Sequence, residues 1–347
     1  MKYSFKNDYS EGAHPRILDA LVENNLHQEP GYGLDSYSLN TVKYMKKAVE
    51  DDKACVHLIS GGTQTNLIAI RAFLRPHQAC IAAESGHIAV HEAGAIEASG
   101  HKICTVATRN GKLTCDHIQS VLQAHTDEHM VSPKLVYISN PTELGTVYTK
   151  YEIKDLRAFC LKNDLLLYCD GARLGTVLCQ PEYGLTLKDM YELTDAFFIG
   201  GTKNGALLGE ILLIQNDELN QGMRHIIKQS GGMLAKGRLI GIQFETLFRD
   251  RLFYELSEHA MTMAKKLSRG FEALGYAFLV EPQTNQIFPI LENDLIADLE
   301  KSYDFYVWEE VNKTHSAVRL VTSWATQGEA IKTLLSTVED YKKSKSK

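Results

Sequence analysis

Lys203 is hard to explain as a surface charge. It lies in Asp195-Ala-Phe-Phe-Ile-Gly-Gly-Thr-Lys-Asn-Gly205, where Ala196 to Ile199 reads as a short buried strand that breaks at Gly200-Gly201 and again at Gly205. Burial strips water from an ammonium and lowers its pKa, and a neutral amine can attack a carbonyl to form a Schiff base. A second apolar run, Leu165-Leu-Leu-Tyr-Cys-Asp170, ends in an aspartate followed by Gly171-Ala-Arg173. An acid at one strand end and an amine at the next suit an enzyme using pyridoxal phosphate. The carboxylate keeps the pyridine nitrogen protonated and the amine holds the aldehyde. A structural ion pair between the two is the competing reading.

Other stretches offer groups that such a site needs. The apolar run Ala54 to Ile59 leads into Ser60-Gly-Gly-Thr63 and then a helical pattern over 66–74. That order makes a phosphate cradle of Gly62 and Thr63, with free helix amides facing the anion; a tight turn with a threonine cap is the plainer alternative. In Glu84-Ser-Gly-His-Ile-Ala-Val-His-Glu-Ala-Gly94, His87 follows a glycine at a strand–helix junction. His87 and His91 at i and i+4, with Glu92, have the spacing of a metal pair, but no third ligand is spaced nearby and no metal is expected. His87 could instead lie flat on a pyridine ring. Arg319, in Val318-Arg-Leu-Val-Thr322, is an arginine among apolar strand residues. It needs an anion, either an internal carboxylate or the α-carboxylate of a substrate.

These groups need a scaffold that brings them together. Short apolar strands at 54–59, 79–83, 102–107, 134–139, 165–170, 196–199 and 209–214 alternate with helical stretches. That pattern predicts an α/β fold with a mostly parallel seven-stranded sheet. Gly62-Thr63, His87, Asn140, Asp170 and Lys203 would then all lie at the carboxyl ends of strands, where such sheets bind ligands. We divide the chain into an arm, 1–14, a large domain, 15–245, and a small C-terminal α/β domain, 246–347. The small domain has strands expected at 277–280, 286–291, 303–308 and 317–322. Lys342 to Lys347 reads as a frayed tail.

The 347 residues carry a net charge of −6 with 44% hydrophobic composition, which gives no sign of a nucleic-acid partner. The seven cysteines include no Cys-x-x-Cys, and reduced, buried thiols in a cytoplasmic protein are expected. Neither a signal peptide nor an apolar run of membrane-spanning length is legible.

Taken in order, Gly61-Gly-Thr63, His87-Ile-x-x-x-Glu92-x-Gly94, Asp170-Gly-Ala-Arg-Leu174, Thr202-Lys203, Gly231-Gly-Met233 and Arg319-Leu-Val-Thr322 resemble the threonine aldolase family. These are fold-type-I pyridoxal phosphate enzymes of the beta-eliminating lyase group, and the resemblance spans about residues 5 to 325. It implies that Lys203 forms the Schiff base, Asp170 pairs with the pyridine nitrogen, His87 stacks on the ring, and Gly62, Thr63 and Thr202 lie at the cofactor. It implies that Arg173 and Arg319 bind the substrate carboxylate, helped by Ser10, and that Arg173 also borders the cofactor. It puts His129 near the substrate hydroxyl, and takes Tyr32 from a neighbouring subunit, hence a homodimer or homotetramer with shared active sites. The implied reaction cleaves a β-hydroxy-α-amino acid to glycine and an aldehyde. The chain departs from the family at Ser139-Asn-Pro-Thr142, at Asn204, at His91 in place of an aromatic residue, at Leu234 and at Ser323-Trp324. These positions surround the substrate, so β-elimination, amino transfer or binding without turnover stand as alternatives.

Overall fold

Along the central strands, side chains alternate between two faces, and both faces are covered. Val136, Ile138, Leu167, Cys169, Phe197 and Ile199 join one core layer, while Leu135, Tyr137, Tyr168, Ala196 and Phe198 join the other. Doubly covered strands of this kind belong to parallel sheets flanked by helices. The computed structural model describes residues 2–345. Its strands are β1 (Tyr3–Ser4), β2 (Cys55–Ile59), β3 (Gln78–Ala83), β4 (Ile103–Val106), β5 (Ser132–Ser139), β6 (Leu166–Asp170), β7 (Ala196–Gly200) and β8 (Glu210–Ile214). There follow β9 (Gln286–Ile287), β10 (Ile290–Glu292), β11 (Tyr303–Asp304), β12 (Tyr306–Asn312) and β13 (His315–Val321).

The large sheet has seven strands in the order β2-β8-β7-β6-β5-β3-β4. β8 runs antiparallel to both of its neighbours, and the remaining pairings are parallel. The expected fold class is therefore borne out. The reversal of β8 has a consequence for chemistry. Its first residue, Glu210, pairs with Gly200 at the end of β7 and so reaches the same sheet edge as the carboxyl ends of the other strands.

Two glycines bring the Asp170 and Lys203 loops into contact. A Cβ on Gly171 would lie 2.0 Å from the Phe198 carbonyl oxygen, and one on Gly200 would lie 2.2 Å from that of Ala172. The Gly200 amide donates to the Gly171 carbonyl at 3.1 Å. Only backbones without side chains can approach so closely.

The helix after Gly-Gly-Thr spans Gly62–Phe73, four residues earlier than its periodicity suggested, with Gly61 in extended conformation before it. The small domain also differs in detail. Residues 277–280 form no strand, only a bridge between Phe278 and Pro289. Pro289 has no amide to donate, and it also splits the expected strand at 286–291 into β9 and β10. The amino-terminal arm docks on this domain: β1 pairs with β11, and Phe5 is buried in the small-domain core. The boundary placed at 245 falls inside the helix Arg238–Arg249, and the helical run breaks at Asp250 and Arg251 before Leu252–Ala273. The expected frayed tail is helical through Lys345, which pairs with Asp294 at 3.2 Å; residues 346–347 lie outside the described residues. Among the described residues no helix is long and apolar enough to cross a membrane.

Candidate functional site

A cavity of about 690 Å³ lies along the sheet edge and is closed on one side by β12 and β13. Gly62, Thr63, His87, Asp170, Arg173, Thr202, Lys203 and Arg319, all singled out from the sequence, line it together.

Asp170 ends β6 and is held by three donors. Its Oδ2 accepts from Asn66 Nδ2 at 2.9 Å and from the Tyr137 hydroxyl at 2.7 Å, and its Oδ1 accepts from the Ala172 amide at 3.0 Å. Asn66 sits on the helix opened by Gly62 and also donates to Glu92 at 2.8 Å, while its own oxygen accepts from Tyr168. Glu92 in turn lies 2.8 Å from Nδ1 of His87. One hydrogen-bonded line thus fixes Asp170 and His87 relative to each other. Burial raises the Glu92 pKa, against the pull of its His87 and Asn66 bonds. Among the described residues no three His, Cys, Asp or Glu side chains are placed to hold a metal ion.

Lys203 follows the close contact of the two loops. Its pKa is lowered, first by burial and then by the neighbouring Arg173 charge, with Asp8, Asp170 and Glu210 pulling the other way. Glu210 accepts from the Gly201 amide at 3.2 Å and from the Thr202 hydroxyl at 3.0 Å, which anchors the segment bearing the lysine. Burial raises the Glu210 carboxyl, so a buried carboxylate and a buried amine each shift toward neutrality.

The two arginines are not equivalent. Arg173 is already paired: its Nε and Nη2 donate to the two oxygens of buried Asp8 at 2.7 and 3.0 Å. Asn285 donates to the same carboxylate at 2.9 Å. Asp8 thus occupies the fork that the resemblance reserves for the substrate carboxylate. Arg319 has no carboxylate partner among the described residues. It stacks on Tyr306 and Trp308 at 5.0 and 5.1 Å, donates from Nη2 to the Lys6 carbonyl at 3.4 Å, and leaves a buried Nε unsatisfied. A largely desolvated guanidinium that lines a cavity suits an anionic ligand.

Asp8 offers a stability test. Burial alone would raise its pKa, but the charge of Arg173, together with its hydrogen bonds, outweighs burial and leaves the group below its usual value. Its stabilising effect is therefore complete above the ordinary carboxylate range and is lost as pH falls through the lowered value. Asp8→Ala leaves Arg173 buried and unpaired, and we expect a loss of about 3–5 kcal/mol in chemical denaturation at neutral pH. A loss below about 1 kcal/mol would show that the pair does not hold the arm.

Three expected site residues lie elsewhere. His129 is exposed in the loop before β5, at the amino end of that strand. An eight-residue strand separates it from the cavity by roughly 23 Å at 3.3 Å per residue. Ser10 is exposed and bonds Asn7 at 3.0 Å; from the arm Tyr9 lines the cavity and Asp8 holds Arg173. Tyr32 is 44% exposed, lies outside this chain's cavity, and carries the Lys228 ammonium 4.4 Å over its ring. Asn140, also placed at a strand end, is spent on the backbone of Tyr148 through both its oxygen and its amide.

Sequence reasoning missed Asp8, Glu143, Glu210, Tyr306 and Trp308. A charged residue opening the apolar run Glu210-Ile-Leu-Leu-Ile214 was a usable signal for Glu210. Nothing local marks Asp8, whose partner lies 165 positions away. Glu143 lies past the end of β5, takes a hydrogen bond from Ser139 at 2.8 Å, and is raised in pKa by burial and by Asp170.

Comparison with known proteins agrees with this arrangement. The beta-eliminating lyase family model matches residues 10–294. A low specificity L-threonine aldolase from Pseudomonas aeruginosa is 28% identical over 95% of both chains. A solved threonine aldolase from Leishmania major is 48% identical, covers 98% of this chain and 99% of its own, and superposes with a TM-score of 0.96. An aromatic aminotransferase from Pyrococcus horikoshii, 17% identical with a TM-score of 0.70 over 99% and 96% of the two chains, shares the fold. A family match over most of the chain, joined to near-complete superposition on a 48% identical relative, makes this protein a member of the beta-eliminating lyase family of pyridoxal-phosphate-dependent enzymes, in its threonine aldolase group.

Proposed function

We propose that this chain is a pyridoxal-phosphate-dependent lyase that cleaves a threonine-like β-hydroxy-α-amino acid to glycine and an aldehyde. The observation that carries the reading is the meeting of Asp170 and Lys203 at adjacent strand ends in one cavity, with the orphan donor of Arg319 beside them. The residues fit the cofactor. Asp170 would hold the pyridine nitrogen, Lys203 the aldehyde and His87 one face of the ring. Gly62, Thr63 and Thr202 would hold the phosphate, at the start of a 12-residue helix. When bound, the cofactor would draw in the electron pair released at the substrate's α-carbon.

The chain's own groups would do the rest. Arg319 would take the substrate carboxylate in its guanidinium fork and so set which α-bond stands perpendicular to the ring. Tyr306 and Trp308 would hold that guanidinium in place and shield it from water. Arg173, held by Asp8, would keep a positive charge near Lys203 and favour its neutral amine. Assembly of two or more copies, with Tyr32 completing a neighbour's site, is supported by exposed apolar residues clustered in sequence around it: Val22 at 76%, Leu26 at 90% and Leu34 at 54% exposure.

The test is to supply the cofactor-loaded protein with threonine and assay the products. Glycine and acetaldehyde in equal amounts are expected. 2-Ketobutyrate with ammonia would replace this reading with elimination, and a keto acid without ammonia would replace it with amino transfer.

A further inference from the structure

Cleavage of a β-hydroxy amino acid requires a base on the hydroxyl; His129, His87 or a water could serve by the family resemblance, and His129 sits before the amino end of β5, away from the cavity. We propose that His91 is the catalytic base that takes the proton of the substrate's β-hydroxyl, an inference that rests on the aldolase reading above. His91 lines the cavity, one turn beyond His87, with the two ring centroids 5.4 Å apart. His87 has its Nδ1 committed to Glu92 and a face committed to the ring it would stack on. His91 makes no side-chain hydrogen bond to any described residue, so both of its ring nitrogens are available. Glu143, a further carboxyl group in the cavity, accepts from Ser139 and belongs to the line of groups that reaches Asp170 through Tyr137. His91 stands outside that line, is exposed, and can pass a proton to water.

The charges that act most on His91 come from four elements, His87 on its own helix, Arg319 on β13, Lys203 after β7 and Arg173 after β6, while the carboxyl groups of Glu143, Asp170 and Glu210 line the same cavity. Partial burial and this surrounding hold the imidazole below its ordinary pKa, so it is neutral and basic at neutral pH. In the step proposed, an unprotonated nitrogen of His91 removes the hydroxyl proton. The freed oxygen pair forms the carbonyl of the aldehyde while the Cα–Cβ bond breaks, and its electron pair remains at Cα under the pull of the bound cofactor. Water takes the proton from His91, and a proton from solvent completes glycine.

His91→Phe and His91→Asn holoenzymes separate this role from a structural one, because exchange of the α-hydrogen of glycine in deuterated water needs no hydroxyl base. We expect threonine cleavage to fall by about 10²-fold or more in both variants, with glycine exchange and cofactor content within about twofold of the parent. The acid limb of kcat/KM for threonine should vanish in the variants. The His91 imidazole resonance, identified by its loss in His91→Phe, should titrate in the cofactor-free protein below the ordinary histidine value of about 6.5. Variants that cleave threonine within about threefold of the parent, or that lose cleavage and exchange together, overturn the proposal. A parent protein that exchanges glycine but cleaves no β-hydroxy amino acid overturns the aldolase reading itself, and this assignment with it.

Discussion

Lys203→Ala is expected to abolish the visible absorbance that the purified protein owes to a cofactor bound through the lysine, and to lower kcat by about 10³-fold or more. The structure argues for a clean result. The Lys203 side chain makes no hydrogen bond to any described residue, and burial together with Arg173 already favours its neutral form. Removing it leaves no donor or acceptor stranded on a neighbour, so the variant should fold with little change in stability. Glu210 and Asp8 both lose a compensating charge, and Glu210 should move further toward its protonated form. A variant that keeps the full absorbance would take the cofactor-holding role away from this lysine. A spectrum and a thermal melt on the same sample decide the matter.

Asp170→Asn is expected to lower kcat by on the order of 10³-fold while the visible absorbance persists, because Lys203 is still present to hold the aldehyde. Loss of activity with retention of the chromophore distinguishes the two strand-end residues. The asparagine keeps an oxygen for the Ala172 amide but turns an amide toward Asn66 Nδ2 and the Tyr137 hydroxyl, both of which donate to Asp170 in the parent. The Tyr137 hydroxyl can rotate and Asn66 Nδ2 cannot, so one donor is left unsatisfied and we expect a stability loss of about 1–3 kcal/mol. Activity within about tenfold of the parent would mean that the carboxylate is there to hold Asn66 and Tyr137 in place and does not act on the cofactor.

The elements of the large domain were legible because they rest on local physics. Strands covered on both faces, such as Leu165 to Asp170 and Ala196 to Gly200, read as short continuous apolar runs. Strand-end placement then followed from the direction of a parallel sheet, which is why Gly62, Thr63, His87, Asp170 and Lys203 were found together. The small domain was harder. Its strands are two to seven residues long and are broken at Pro289 and Phe305, so they carry little periodic signal.

Residue types and spacing therefore settled, from the sequence alone, that an amine and an acid would share one edge of an α/β sheet, since burial and strand direction are local properties of the chain. The tertiary structure alone decided which charges compensate which. Asp8 takes Arg173 across 165 positions, Glu210 reaches the lysine because β8 runs backwards, and Arg319 is left with an unused donor. Charge pairing depends on distances of a few ångströms between distant segments, and no local pattern encodes those distances.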